Sequence, residues 1–246
     1  MGVHVSRGVR LRIPAGGVVI QSIDGGAPTM EVRAVELQLD VCVHWLEIAF
    51  DQLLAAEQAH CATIESARTR LDGQYDMDRE FKCSLQAIVA AATFFEAVYA
   101  AVKERDPVKQ SAPKGSERRR IARFAIVTEQ LRRSFGLRKR GTANLRGVLR
   151  EVYRFRDEAV HPSARFTQPV QHPDLPFGVE RRFVMFSASS ARQIVRAAIA
   201  FSKILPSRDL SRRPKGVQEF GGYLLQTSAP LHDAWEEKFG PLLDAV

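Results

Sequence analysis

The segment from Phe81 to Val102 constrains the fold of this chain more than any other stretch. A helix that is apolar on all its faces must be buried on all sides, so this segment predicts the central helix of a bundle. One apolar row follows the four-then-three spacing of a helix face and consists of Phe81, Leu85, Ile88, Ala92, Phe95, Tyr99 and Val102. A second row covers the other side with Cys83, Ala87, Ala90, Phe94, Val98 and Ala101.

Glu96 is the only charged residue between Lys82 and Lys103. Burying a carboxylate without a partner costs several kcal/mol, so Glu96 must be paired, be protonated or reach solvent. We expect Arg156 to be that partner, because it falls on the flank of the apolar arc of a later helix, and arginines are almost never fully buried alone.

The segment before this helix supports two periodicities. Val35, Leu37, Leu39, Val41 and Val43 alternate with polar residues, which is typical of a strand. A helical spacing runs from Val35 to Leu71 and explains about twice the length, so it favours a long first helix. The strand alternative stays open for the first ten residues. His60 lies on the apolar stripe and is expected to be a hydrogen-bonded core histidine.

The fold class that follows is a mainly-α, up-and-down bundle of about five helices. Ser116 is a candidate N-cap for a third helix, residues 143–160 predict a fourth, and Ser190 with Gln193 resembles a capping box for a fifth. We expect a β-like N-terminal extension with a hairpin over 1–28, the bundle over 29–205, and a linker with a short docking helix over 206–246. A second short hairpin is expected after the fourth helix, ending in residues 181–186.

Composition indicates a cytoplasmic globular chain. Of the 246 residues, 45% are hydrophobic and 26% are charged. The N-terminus lacks the pattern of a signal peptide, and no uncharged apolar run reaches membrane-spanning length, so we expect no membrane contact. Cys42, Cys61 and Cys83 are odd in number and lack CxxC spacing, which favours reduced thiols over a disulfide or zinc site. We expect no metal and no cofactor.

Positive charge is concentrated in one segment. Residues 114–150 contain twelve basic side chains and two acidic ones, whereas the whole chain carries a net charge of +8. A basic face of this kind suits a polyanion such as RNA, although a solvated helix face would show the same pattern. The predicted RNA-binding residues are Arg118, Arg119, Arg120, Arg138, Lys139, Arg140 and Arg154.

The densest polar chemistry lies at the end of the fourth predicted helix, over residues 153–162. On a helical wheel Arg156 lies on the apolar flank, whereas Arg154, Glu158 and His161 lie on the wetter side. Pro162 biases the preceding residue away from helix, so His161 is expected at the helix end. An arginine, an adjacent acid and a histidine could bind and cleave a phosphodiester, or they could simply end a helix.

The three helices from residue 79 onward, followed by Arg156, Asp157 and His161, resemble the HEPN superfamily of helical bundles over residues 79–205. Ribonuclease members carry an arginine, a polar residue, several further residues and then a histidine. The resemblance implies a metal-independent endoribonuclease, built across a homodimer, with a stress, toxin or phage-defence role and an inhibitory partner protein. Other members bind RNA or dimerise without cutting, and this alternative stays open.

Within this resemblance each residue has an expected role. His161 would act as general base on the 2′-hydroxyl or as acid on the 5′-oxygen, because a pKa near 6.5 suits both tasks. Arg156 would stabilise charge on the transition state, Asp157 would orient one of these two residues, and Glu96 would be a third member from another helix. The products would be a 2′,3′-cyclic phosphate and a 5′-hydroxyl.

Overall fold

A computed structural model describes residues 2–6, 9–21, 29–69, 77–106, 121–161 and 168–243. Its helices are α1 (Cys42–Thr69), α2 (Met77–Arg105), α3 (Arg123–Ser134), α4 (Lys139–Val160), α5 (Arg181–Met185), α6 (Ala188–Ile204) and α7 (Lys215–Phe239). Its strands are β1 (Gly2–Ser6), β2 (Val9–Arg12), β3 (Val18–Gln21), β4 (Thr29–Val32), β5 (Glu36–Leu39), β6 (Val170–Gln171) and β7 (Gly178–Val179). The prediction of a mainly-α helical bundle is confirmed.

The α2 helix is the centre of the bundle, as its two apolar rows predict. It packs against α1, α3, α4, α6 and α7. Phe94 and Phe95 are fully buried, and Phe95 meets Phe201 of α6 with ring centroids 6.1 Å apart. Because five helices cover α2, its position fixes where every other helix lies.

A partly buried hydrogen-bonded cluster joins α1, α2 and α6. Glu80 accepts a hydrogen bond from the backbone N–H of Ala188, at the first residue of α6, over 2.9 Å. Its other oxygen lies 3.1 Å from His60 Nδ1. A carboxylate at a helix N-terminus is stabilised by the unpaired N–H groups there. His60 is thus a hydrogen-bonded, half-buried histidine, as the sequence predicted.

The prediction of a helix from Val35 was wrong, because α1 begins at Cys42. Residues 36–39 form β5, which pairs antiparallel with β2 in a three-stranded sheet of order β1-β2-β5. The strand alternative therefore holds for this stretch. The Asp40 carboxylate accepts a hydrogen bond from the Cys42 N–H and so caps α1.

The N-terminal strands extend past the predicted boundary at residue 28. The pair β3–β4 forms a separate two-stranded sheet, and the Gly17 carbonyl, just before β3, accepts hydrogen bonds from the N–H groups of Arg33 and Ala34, just after β4. A Cβ at Gly17 would lie 2.7 Å from the Ala34 oxygen, so only glycine fits there. We call residues 2–41 the N-terminal β unit.

The fourth helix begins earlier than the predicted residue 143, because α4 starts at Lys139 and the turn after α3 is correspondingly short. Gly136 adopts a positive φ of 65°, which glycine tolerates and other residues rarely do. Arg213, from the segment before α7, packs over this glycine, where a Cβ would meet its Nη2 atom at 2.5 Å. The predicted start of the third helix at Ser116 lies outside the described residues.

The hairpin expected after α4 is present as β6–β7, but it ends earlier than predicted. Residues 181–185, assigned to its second strand, form the short helix α5, whose N-cap is Glu180. The predicted capping box at Ser190 and Gln193 was also wrong. The N-cap of α6 is Ser187, whose side chain accepts a hydrogen bond from the Ser190 N–H.

The predicted linker over 206–227 is mostly helix, because α7 spans Lys215–Phe239 and includes Pro230. Phe220, Leu224 and Trp235 of α7 are buried in the same apolar cluster as α1 and α2. Trp235 lies between Phe50 and Phe239, with centroid distances of 6.3 and 4.6 Å. The C-terminal segment is therefore one of the helices that pack around the core of the bundle.

Only α2, among the described helices, is long and apolar enough to cross a membrane, with a mean hydropathy of 1.7 in its most apolar window. Within this structure 56% of that window is buried by the other helices. Burial at the centre of the bundle is what its two apolar rows predict.

Candidate functional site

Glu96 accepts hydrogen bonds from side chains of two other helices. Arg123, at the start of α3, donates through Nε to Oε1 over 2.9 Å and through Nη2 to Oε2. The hydroxyl of Tyr153, on α4, donates to Oε1 over 2.6 Å. The Arg123 guanidinium also lies over the ring of Tyr99, 4.3 Å from its centroid. One carboxylate thus ties α2, α3 and α4 together.

The electrostatics of this cluster follow from its geometry. Partial burial raises the pKa of Glu96, but the hydrogen bonds from Arg123 and Tyr153 outweigh it and hold the pKa below its ordinary value. Burial, followed by the hydrogen bond to the Glu96 carboxylate, raises the pKa of Tyr153. Glu96 is therefore a carboxylate and Tyr153 a neutral donor at neutral pH.

Arg156 is not the hydrogen-bonding partner of Glu96, which corrects the expectation from the sequence. It lowers the pKa of Glu96 only through a weaker Coulombic attraction. Its guanidinium lies over the Tyr153 ring, 5.1 Å from the centroid. Its Nε atom is buried and lies 3.0 Å from Asp157 Oδ1, without hydrogen-bond geometry. Arg123 makes the hydrogen bonds with Glu96 that were expected of Arg156, because α3 packs against α2.

An open cleft of about 700 Å³ lies between the start of α3 and the C-terminal half of α4. Its basic and acidic walls come from both helices, and Glu96 lies behind Arg123 and Tyr153. The lining residues are Ala122, Arg123, Phe124, Arg150, Tyr153, Arg154, Asp157, Glu158 and His161. Of the predicted catalytic residues, Asp157 and His161 line the cleft, together with the predicted RNA-binding residue Arg154, whereas Arg156 and Glu96 are not among the lining residues.

His161 is the C-cap of α4, and its backbone N–H donates to the Asp157 carbonyl over 2.9 Å. Its side chain is exposed at the mouth of the cleft. Within the described part of the chain, no hydrogen bond to its imidazole is present.

A stripe of basic residues leads along α4 to this histidine. At 100° per residue its members fall within an arc of about 80°, and the stripe is about 33 Å long. They are Lys139, Arg146, Arg150 and Arg154, followed by His161, all of them exposed. Arg154 is paired with Glu151, with Nη2 2.9 Å from Oε2. No ion pair to Lys139, Arg146 or Arg150 is found among the described residues. We call this set the α4 basic stripe.

The predicted RNA-binding residues have different positions relative to this stripe. Lys139 and Arg154 belong to it, whereas the exposed Arg138 and Arg140 flank its first turn. Arg118, Arg119 and Arg120 lie outside the described residues. The prediction from sequence therefore included Lys139 and Arg154 of the stripe but not Arg146 and Arg150.

Several basic residues that the prediction did not select also lie here. Arg123 and Arg150 line the cleft. Arg213 packs over Gly136, and the Arg208 guanidinium approaches Gly141, so the segment between α6 and α7 adds charge at the start of α4. The seven- and four-residue spacing of Lys139, Arg146, Arg150 and Arg154 is a helix-face signal that could have identified the stripe from sequence.

No group of three or more His, Cys, Asp or Glu side chains suited to a metal ion occurs among the residues with described positions. The cleft holds two carboxylates, Asp157 and Glu158, beside one histidine and three arginines. Guanidinium, imidazole and carboxylate groups therefore all line the cleft.

Comparisons with known proteins gave no relatives for this chain. No family model matches it, no curated protein matches it, and no solved structure matches it.

Proposed function

We propose that this chain binds RNA along the α4 basic stripe and cuts it, without a metal ion, in the cleft at the end of α4. The single observation that carries the proposal is the stripe itself, a row of exposed cations that leads to an exposed histidine beside two carboxylates. The resemblance of Arg156, Asp157 and His161 to the HEPN superfamily motif supports the same reaction.

The stripe suits a nucleic-acid strand by its charge and its spacing. Cations four residues apart on a helix are separated by about 6 Å along its axis, so they form a continuous track. Lys139, Arg146 and Arg150 have no acidic partner among the described residues, and they can therefore meet phosphates without first breaking an ion pair. Such contacts release counterions, which makes binding depend steeply on salt.

The reaction proposed for the cleft is attack of a ribose 2′-hydroxyl on the adjacent phosphorus. The new O2′–P bond closes a cyclic phosphate while the P–O5′ bond breaks. His161 takes the proton from the 2′-hydroxyl, or gives one to the leaving 5′-oxygen, because imidazole exchanges protons near neutral pH. Arg150 and Arg154 face the phosphate oxygens, where guanidinium groups stabilise the developing charge. A second copy of the chain would supply the other proton-transfer group.

In this proposal Arg156 and Glu96 act on the shape of the cleft. Arg156 lies against the Tyr153 ring, and Tyr153 and Arg123, both bound to Glu96, form the cleft wall. We therefore propose a positioning role for Glu96 and Arg156, in place of the direct phosphate contact that the motif implies for Arg156.

Cleavage of a 5′-labelled RNA in EDTA tests the proposal. We expect the wild-type protein to cut, His161→Ala to lose at least 100-fold in rate, and Arg154→Ala to lose about tenfold. His44→Ala is the matched control, because His44 is a partly exposed histidine on α1 that does not line the cleft. Absence of cutting by pure wild-type protein, or equal loss in His44→Ala, would overturn catalysis at this site.

A non-catalytic RNA-binding module is the second candidate, and the position of Arg156 outside the cleft lining favours it. Salt titrations of RNA affinity separate the two functions. Arg150→Ala should weaken binding and reduce the slope of log affinity against log salt by about one, whereas Arg68→Ala, an exposed arginine on α1, should not. Binding with this pattern and no cutting identifies the module. A slope unchanged in Arg150→Ala would rule out the stripe as the RNA track.

A further inference from the structure

The N-terminal β unit exposes an unusual amount of apolar surface. Val35, Leu37, Leu39 and Val41 alternate along the chain and are 47%, 71%, 60% and 39% exposed. Leu37 and Leu39 are alternate residues of β5 and share one face, and Val35 and Val41 continue the alternation on either side of the strand. We call these four residues the apolar row. This is the strand-like period of the sequence, and the bundle does not bury it. No helix packs extensively on the β unit within the described part of the chain.

The strand β5 at the centre of this row is also a sheet edge. Among the strands that the structure describes, the order β1-β2-β5 leaves one side of β5 without a neighbour. Edge strands of stable monomers are commonly blunted by lysine, proline or a bulge. The strand β5 (Glu36–Leu39) contains no lysine and no proline, and it pairs with β2 in regular register. Glu36 is the only charged residue of β5, and an edge strand that exposes Leu37 and Leu39 is suited to pairing with another strand.

We propose that β5 pairs antiparallel with β5 of a second copy of this chain, which makes the N-terminal β unit a homodimer interface. Pairing about a two-fold axis at Leu37 is self-complementary, because it places Val35 opposite Leu39 of the second copy. It also places Glu36 opposite Gln38 of the second copy, so that like charges do not meet. The apolar row of each chain then continues across the axis.

The exposed area agrees with a dimer. The aliphatic residues exposed in the β unit are Ile13, Ile20, Met30, Val32, Val35, Leu37, Leu39 and Val41. A fully exposed aliphatic side chain offers about 100 Å² of apolar surface, so eight residues exposed by about half offer roughly 400 Å². A standard interface buries about 800 Å² per partner, of which somewhat more than half is apolar. The four residues on or next to β5 supply about half of that apolar area. Ile20, Met30 and Val32 lie on the separate β3–β4 pair, and Ile13 lies in the connection after β2.

A charge pair at the proposed axis tests this interface. Light scattering after gel filtration of the full chain should give twice the 27.5 kDa monomer mass at tens of micromolar. Leu37→Lys and Leu37→Glu should each raise the dimer dissociation constant at least tenfold, because two like charges then face each other across the axis. An equimolar mixture of the two variants should recover the dimer, since each ammonium then lies opposite a carboxylate.

The control is Ile48→Lys, a similarly exposed aliphatic residue on α1, which should stay dimeric. Recovery of the dimer in the mixture also shows that both variants fold. A monomeric wild-type chain, a dimeric Leu37→Lys variant, or a mixture that stays monomeric would overturn the proposal. The interface does not depend on RNA cleavage, because mass is measured and not activity.

Discussion

The Glu96 carboxylate is the residue on which the candidate site depends, because it holds one side chain from each of two helices that form the cleft. Tyr153 is almost fully buried, and its hydroxyl ends 2.6 Å from Glu96. Arg123 is more exposed, so its ion pair with Glu96 is weakened by solvent. The hydrogen bond from Tyr153 is therefore the stronger of the two in its contribution to stability.

Removing either partner should destabilise the fold measurably. We expect Tyr153→Phe to lower the free energy of unfolding by about 1.5–3 kcal/mol, since a hydrogen bond to a charged group is lost in the interior. Glu96→Gln should cost about 1–2 kcal/mol. Urea unfolding measures both values. Glu151→Gln, which removes an exposed partner of Arg154, is the control and should stay within 0.5 kcal/mol of wild type.

The pH dependence of the Glu96 contribution has a defined sign. Because the pKa of Glu96 is lower in the folded than in the unfolded state, its contribution is fully present above the unfolded pKa of about 4.3. It is lost as the pH falls through the folded value. The stability difference between wild type and Glu96→Gln should therefore shrink on acidification below about pH 4. A constant difference would exclude a charged Glu96.

The sequence required Glu96 to be paired, protonated or accessible to solvent, and the structure shows it paired with Arg123 and Tyr153 in place of Arg156. The wheel of α4 places Arg156 on the apolar flank, and it is indeed half-buried there. The choice between Arg123 and Arg156 depends on where α3 crosses α2, and helical periodicity within one segment carries no information about that crossing.

Packing of α7 against α6 is the feature of the helical architecture that sequence reading missed. Gly221, Gly222 and Pro230 disfavour helix in isolation, yet α7 runs through all three. The burial of Phe220, Leu224 and Trp235 in the core of the bundle outweighs those local preferences. The first and last residues of α2 and α4 lie closer to their predicted positions. The apolar spacing of these two segments fits a helix and does not also fit a strand or a linker.

The two adjacent glycines of α7 test its packing. A Cβ at Gly221 would lie 2.6 Å from Leu210 Cδ1, whereas a Cβ at Gly222 would meet nothing within 4 Å. Gly222→Ala should stabilise the protein by up to about 1 kcal/mol through helix propensity. Gly221→Ala should be less stable than Gly222→Ala by about 1 kcal/mol, because Leu210 must move. Equal thermal stability of the two variants would mean that α7 does not approach Leu210.

His232 makes the α6–α7 contact sensitive to pH. The ring is buried and lies 2.9 Å from Ser202 Oγ, and burial, followed by the nearby Lys203 charge, lowers its pKa. Below the unfolded pKa of about 6.5 the unfolded chain takes up a proton that the folded chain resists. Stability therefore falls as the pH drops below that value.

Replacing His232 should remove part of this dependence. We expect the decrease in melting temperature between pH 7.5 and pH 5.5 to be smaller in His232→Gln than in wild type, whatever its absolute stability. His44→Gln, at a partly exposed position on α1, serves as the control. A wild-type decrease that His232→Gln leaves unchanged would show that another group titrates.

Across the molecule, charge and apolar surface occupy separate regions. A row of exposed cations follows α4, whereas eight of the twelve large hydrophobic residues exposed in the described part of the chain belong to the N-terminal β unit. The sequence predicted the basic region from charge counts alone. It could not predict that the alternating row from Val35 to Val41 is exposed, because alternation marks a shared face and does not say whether that face is covered.

The most direct test of the proposed function compares two substrates in EDTA. One is an RNA strand, and the other is the same strand with 2′-deoxyribose at every position. We predict that the wild-type protein cuts only the first, leaves 2′,3′-cyclic phosphate ends, and loses this activity in His161→Ala. Cutting of the deoxyribose strand, or cutting of RNA that His161→Ala leaves unchanged, would contradict 2′-hydroxyl attack at the α4 cleft.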